Sequence, residues 1–282
     1  MDSQNMKNNI LALTCFLILA ACDGNAPATQ VSNNESVTSA SAPQKLERYM
    51  VGTDATYPPF NFKDEHGQLT GFDADLLRAI AENQNFSVEF IPTARSQLFP
   101  GLSEGYYQIL AACLGMSAER LAQSEMSIPY AFAPNVIMGK AGSNVQKVAQ
   151  LGKSSVAVQQ DSYTHKVLID SGIKNIVAVK TLYEAYVAFV SGSADYVMGD
   201  AGVLNYYHKN NKDANKPQIY SSVYDKTEDV RVAFAVKKGN IELINKINEG
   251  LKNIKANGTY DKIYIKWFGT DNSLRVPEEN NK

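Results

Sequence analysis

The 282-residue chain has few of the residue groupings on which catalytic and metal chemistry usually rests. Its three histidines, His66, His165 and His208, are scattered, with no Cys, Asp or Glu at ligand spacing, which speaks against a metal site. Of its three cysteines, Cys15, Cys22 and Cys113, only the last lies beyond residue 22, so no disulfide framework supports the fold. No Walker loop, G-x-G-x-x-G or G-x-S-x-G occurs, and phosphate binding, dinucleotide binding and nucleophilic hydrolysis therefore lack a local signature. No cofactor is expected. Charge of one sign is lacking too: 27 basic residues face 29 acidic ones. That balance implies no nucleic-acid partner, and Lys237-Lys238 reads as a solvated turn.

Long apolar runs are almost absent. The exception, Ile10 to Ala20, is too short to span a bilayer as a stable helix. Lys7 before it and Leu19-Ala20-Ala21-Cys22 after it read as a signal peptide over residues 1–21. Leu-Ala-Ala-Cys resembles the bacterial lipobox, in which the cysteine is acylated, with palmitate among its lipids, and becomes the new N-terminus. Asp23 resembles the inner-membrane retention signal of some lipoproteins. From Asp23 to Gln44 the chain is Ser, Asn, Ala, Thr and Pro with almost no large apolar residue, so residues 22–45 are expected to form a disordered tether. The expectation is a periplasmic protein of the bacterial cell envelope, held to a membrane through Cys22.

From Tyr49 onward short apolar runs alternate with amphipathic ones. The strand candidates are Tyr49–Thr53, Val88–Ile91, Ile109–Ala112, Val136–Gly139, Val156–Val158, Ile176–Val179, Tyr196–Met198 and Val232–Val236. Helical spacing appears in Asp73–Glu82, with Phe72, Leu76, Leu77 and Ile80 on one face, and in Thr181–Val190. This alternation predicts an α/β fold with mostly parallel sheets. Gly71-Phe72-Asp73 reads as a turn followed by an Asp N-cap, and Gly192 and Gly239 as punctuation at helix ends or turns.

Two constellations stand out. Gly52-Thr-Asp-Ala-Thr-Tyr-Pro-Pro-Phe60 gathers an acid, two aromatics and two prolines after a strand. The second, Cys113-Leu-Gly-Met-Ser-Ala-Glu-Arg120, places Ser117 as a natural N-cap and Arg120 near a helix start, a geometry that suits a carboxylate.

These stretches, with Gly67-Gln-Leu-Thr-Gly-Phe-Asp-Ala-Asp-Leu76, Ile128-Pro-Tyr130, Ala194-Asp-Tyr-Val-Met-Gly-Asp200 and Asn257-Gly-Thr-Tyr-Asp-Lys-Ile263 before Trp267-Phe268, resemble the polar amino-acid solute-binding proteins of bacterial ABC importers. The resemblance runs in order from about Leu46 to Gly269. It implies the type II periplasmic-binding-protein fold: two α/β lobes joined by two crossing segments, with the ligand between them. Lobe 1 would be residues 46–132 plus 230–272, lobe 2 residues 134–228, and residues 273–282 a tail. It further implies a monomer that captures a polar amino acid or related zwitterion by hinge closure and delivers it to a membrane permease.

In similar proteins the arginine of the S/T-x-E-R segment pairs with the ligand α-carboxylate and the aspartate ending the A-D strand takes the α-ammonium. Those positions are Arg120 and Asp200 here. Both charges must find fixed partners for a zwitterion to be desolvated. Asp54 and Tyr57 are implied side-chain contacts and Phe60 a second aromatic wall, with Pro58 and Pro59 holding the loop extended. Cys113 and Gly115 depart from the family, which has Gly or Ser, then Ser or Thr; Gly115 lacks the hydroxyl that bonds the carboxylate. Ser162, Tyr163 and Thr164 stand where relatives carry a Gly-Thr-Thr turn, and Tyr163 is either a pocket wall or packs on the helix beneath. Arg95 is either a surface cation or an inward one that makes an anionic side chain attractive; Asp54 favours the opposite charge, unless the two pair with each other. Cys113 reads as a small buried residue rather than a redox centre. The competing readings are a dehydratase-type enzyme on the same fold, with Asp225 or Glu228 as the acid, and a ligand sensor or adhesin without a transport role.

Overall fold

The computed structural model describes residues 46–223 and 230–276. The leader, Cys22, the tether, the candidate acids Asp225 and Glu228, and the tail beyond residue 276 lie outside the described residues.

Two mixed sheets carry the fold. In the first, the order is Phe86–Pro92, Glu47–Thr53, Ile109–Gly115, Arg231–Lys237 and Ser124–Met126, with Ala131–Phe132 also on Arg231–Lys237. Its first three strands run parallel and Arg231–Lys237 runs antiparallel to Ile109–Gly115. In the second, Ile176–Val179, Val156–Gln159 and Tyr196–Asp200 are parallel, and Asn135–Lys140 and Ile219–Val223 complete the sheet antiparallel. All eight strand candidates are strands. Ile109 to Leu114 is apolar at every position because helices cover both faces of a parallel strand, so alternation disappears.

The chain leaves the first lobe through Phe132-Ala133-Pro134-Asn135 and is back in its sheet at Arg231. Arg231–Lys237 therefore inserts beside a strand formed more than a hundred residues earlier. The last two helices, Ile241–Ala256 and Thr259–Phe268, pack against helix Phe72–Asn83 in the same lobe.

Phe72 is the hub of this packing. It is fully buried, with Tyr130, Tyr260, Tyr264, Phe268 and Phe60 at ring-centroid distances of 4.9 to 6.4 Å. The Gly-Phe-Asp and Thr-Tyr-Asp-Lys-Ile stretches thus meet in one aromatic core. Phe60 belongs to that core and not to a ligand wall: no area of it is exposed, and it packs on Phe72 and Phe268.

Asp73 also departs from expectation. It does not cap the helix; Gly71 stands at that position, and Asp73 lies inside the first turn, fully buried. Its carboxylate accepts from the Cys113 N–H (2.7 Å), Asn61 Nδ2 (3.1 Å) and the Tyr130 hydroxyl (2.8 Å). Burial pushes its pKa up to about 7 against these bonds. Gly192 and Gly239 are left-handed, at a helix end and a turn respectively.

Gly71 itself has φ +126°, and a Cβ there would stand 2.2 Å from the Phe60 carbonyl oxygen. Gly71→Ala is therefore expected to destabilise the fold by more than the usual Gly-to-Ala effect, about 1–3 kcal/mol, read as a lower midpoint in denaturant.

Candidate functional site

The cleft between the sheets is built from strand ends and helix starts. At the end of Ile109–Gly115 the chain breaks register with Arg231–Lys237, and Cys113 takes φ +47° there. A bulge of this kind bends the strand and re-aims the residues after it. The Cys113 N–H that the bulge releases is taken up by Asp73. Cys113 has no oxidation partner among the described residues and is 5% exposed; burial, with Asp200 and Asp73 nearby, pushes its thiol pKa well up.

Beyond the bulge, Ser117 caps the short helix Ala118–Gln123 by accepting from the Arg120 N–H at 3.3 Å. The Arg120 guanidinium folds back so that Nη1 donates to the Gly115 carbonyl at 2.9 Å, and it lies 5.6 Å from the Phe99 ring. The Gly115 carbonyl thus fixes the arginine but, as an acceptor, does not replace the hydroxyl donor that Gly115 lacks. Burial, and then the neighbouring Arg95, pull the Arg120 pKa down to about 10, so it stays cationic at neutral pH.

The facing wall comes from the second lobe. Ser162 caps helix Tyr163–Asp170: its hydroxyl accepts from the His165 N–H, donates to the Gln159 carbonyl at 2.7 Å and meets Thr164 Oγ1 at 3.0 Å. Asp161 before it has φ +58°, which an aspartate tolerates better than most residues. Asp200 ends its strand and caps helix Ala201–Asn210, with Oδ1 accepting from the Val203 N–H at 2.9 Å. Its Oδ2 is buried with no protein partner. Burial raises the Asp200 pKa to about 7, opposed by the Val203 and Gly202 N–H groups and by Arg95.

These side chains enclose a small cavity of about 40 Å³. From the first lobe it is lined by Tyr57, Arg95, Cys113, Gly115, Ser117 and Arg120; from the second by Ser162, Tyr163, Thr164 and Asp200. Tyr163 is therefore a wall of the cavity. Ala133, Asn135 and Val232, at the crossing segment and on the returning strand, also line it and were not singled out in the sequence. Asn135 carried a faint signal, a lone amide heading the apolar run Val-Ile-Met.

Two expected contacts stand elsewhere. Phe60 is in the aromatic core. Asp54 lies beside the cavity but not on its lining: it accepts from Thr56 Oγ1 at 2.8 Å and Gln159 Nε2 at 2.9 Å, and faces Arg95 Nη1 at 3.5 Å. Pro58 and Pro59 sit in a turn closed by the Phe60 N–H on the Tyr57 carbonyl (2.9 Å), not in an extended loop. Tyr57 is left on the lining by that turn. Arg95 points inward, with a side chain only 9% exposed.

Residues 49–270 match the model of the bacterial extracellular solute-binding proteins, family 3. The chain belongs to this family. A family relative from Haemophilus influenzae, described as a probable amino-acid ABC transporter-binding protein, is 30% identical over 229 residues, 81% of this chain and 87% of that one. Among solved structures, an ancestral arginine-binding protein bound to glutamine matches with a TM-score of 0.72 and 36% identity, covering 80% of this chain and 99% of its own. An ancestral arginine-binding protein bound to arginine gives 0.72 and 37%, covering 79% and 98%. The solute-binding family thus accounts for the two-lobed fold, and the cavity lies in its cleft.

Proposed function

We propose that this chain is the substrate-binding component of an amino-acid ABC importer and that its interlobe cavity holds the amino-acid backbone of the ligand. Arg120 takes the α-carboxylate, Asp200 takes the α-ammonium, and Tyr57, Tyr163 and the Ser162–Thr164 helix start form the walls. The observation that carries this reading is the pairing of opposite needs across one cavity. Asp200 Oδ2, from one lobe, is a buried acceptor without a protein partner, and it faces a wall from the other lobe that holds two arginines. A zwitterion spanning the two walls satisfies both, and its bridging favours closure.

The role is binding and delivery to a permease, without turnover. Cys22 is proposed to carry the lipid that holds the protein, as a monomer, at the inner membrane of the cell envelope. The dehydratase alternative rests on Asp225 and Glu228, which lie outside the described residues.

Calorimetry against the twenty amino acids tests the reading: a one-to-one ligand of micromolar affinity, about 8 kcal/mol, is expected. Failure of every amino acid to bind would remove it. The pH dependence has a definite sign. The ammonium prefers ionised Asp200, whose pKa is raised to about 7. Affinity should therefore fall as pH drops below 7, approaching roughly tenfold per unit, and binding at pH 7 should release about half a proton. Asp73, also raised to about 7, titrates under the Cys113 bulge. Asp200→Asn separates the two, since the steep pH dependence should vanish in that variant and persist in the parent.

A further inference from the structure

Arg95 does more than add charge to the cleft. Its guanidinium lies 5.2 Å from the centre of the Tyr57 ring, and Nη1 stands 3.5 Å from both Asp54 Oδ2 and the Ala112 carbonyl. A carboxylate beside an aromatic face is the arrangement that holds a cation out of water. Here the protein's own arginine is that cation. Asp54 is itself fixed by Thr56 and by Gln159 from the other lobe, and its Oδ2 faces the Arg95 guanidinium.

Position reinforces chemistry. Arg95 lines the 40 Å³ cavity and also two larger cavities, of about 500 and 450 Å³, so its side chain forms a partition that all three share. Between the small cavity and the 500 Å³ one Arg95 is the one lining residue in common, so a long ligand side chain extending that way meets it first. Its Nε is buried and has no protein partner.

We propose that Arg95 occupies the place of a cationic ligand side chain and thereby restricts the protein to amino acids with short, uncharged side chains that offer an acceptor. This rests on the reading of the cavity as a site for the amino-acid backbone. Charge arithmetic agrees. Arg95 and Arg120 balance Asp54 and Asp200 when both acids are ionised and Asp73, buried behind the Cys113 bulge, is protonated, so in that state a zwitterion with an uncharged side chain leaves the enclosure neutral. Lysine or arginine would add an unpaired cation beside two others.

The test is calorimetry on the purified protein with serine, asparagine, aspartate, lysine and arginine. Serine or asparagine should bind at least about 30-fold more tightly than lysine or arginine, because setting a like charge against the ligand's cation costs several kcal/mol. Arg95→Ser should shift the arginine-to-asparagine affinity ratio toward arginine by about tenfold or more, Arg95→Lys should leave it near the parent's, and adding Asp54→Asn to Arg95→Ser should cancel the gain. Parent protein that binds arginine as well as asparagine, or prefers aspartate, overturns this inference and leaves the backbone site standing. An unchanged ratio in Arg95→Ser overturns it as well. Parent protein that binds no amino acid overturns the backbone site beneath it. The parent's own ratio decides the matter even if a variant fails to fold.

Discussion

Arg120→Ala is expected to lose about 2–5 kcal/mol of amino-acid affinity, roughly thirtyfold to several thousandfold, because it leaves the ligand carboxylate desolvated without its cation. Asp200→Ala should do comparable damage at the other end. Titration calorimetry measures both. The losses should not be accompanied by a matching loss of fold. Arg120 is half-buried on a short helix, and removing it relieves repulsion with Arg95, so the thermal midpoint should move little. Arg120→Lys restores charge but not the planar fork, and should recover only part of the affinity. Wild-type affinity in Arg120→Ala would place the carboxylate elsewhere in the cleft.

Phe72→Ala gives the largest expected effect on stability. The ring has no exposed area and packs on aromatics from three separate stretches of chain, so deletion leaves a cavity that cannot close without moving the helices around it. The expected cost is about 3–5 kcal/mol. At this size of domain that lowers the melting midpoint by roughly 6 to 20 °C. Because Asp73 follows directly and holds the Cys113 bulge, affinity should weaken too, but by less than in Arg120→Ala. Scanning calorimetry together with ligand titration separates the two effects.

Strand and helix positions are legible in the sequence where burial leaves a mark, as a short unbroken apolar run at Val156–Val158 or a helical period in the Phe72, Leu76, Leu77, Ile80 face. The site was legible where local geometry and chemistry coincide. Ser117, Ser162 and Asp200 all cap helices that begin at the cleft. What failed was long-range. Nothing local to Gly-Phe-Asp says that its acid turns inward to a strand forty residues away and not onto its own helix end. Likewise Phe60 reads as a wall until the C-terminal helix brings Phe268 against it. Asp54 and Arg95 could be read as opposing preferences only while their separation was unknown; at 3.5 Å they are one pair. Cysteine gives no hint of a left-handed backbone, so the bulge at Cys113 was invisible.

The lobes are also joined by bonds that no ligand makes. Gln159 Nε2 donates to Asp54 and the Tyr207 hydroxyl donates to the Thr56 carbonyl at 2.7 Å, both from the second lobe to the first. Each is worth about 0.5–1.5 kcal/mol net, so together they favour the lobes in this contact over the lobes parted by roughly five- to 150-fold. That bias scales the apparent affinity down by the fraction of molecules able to admit a guest. It also sets a clock: at high amino-acid concentration the observed association rate should stop rising and level off at the rate at which these two bonds break.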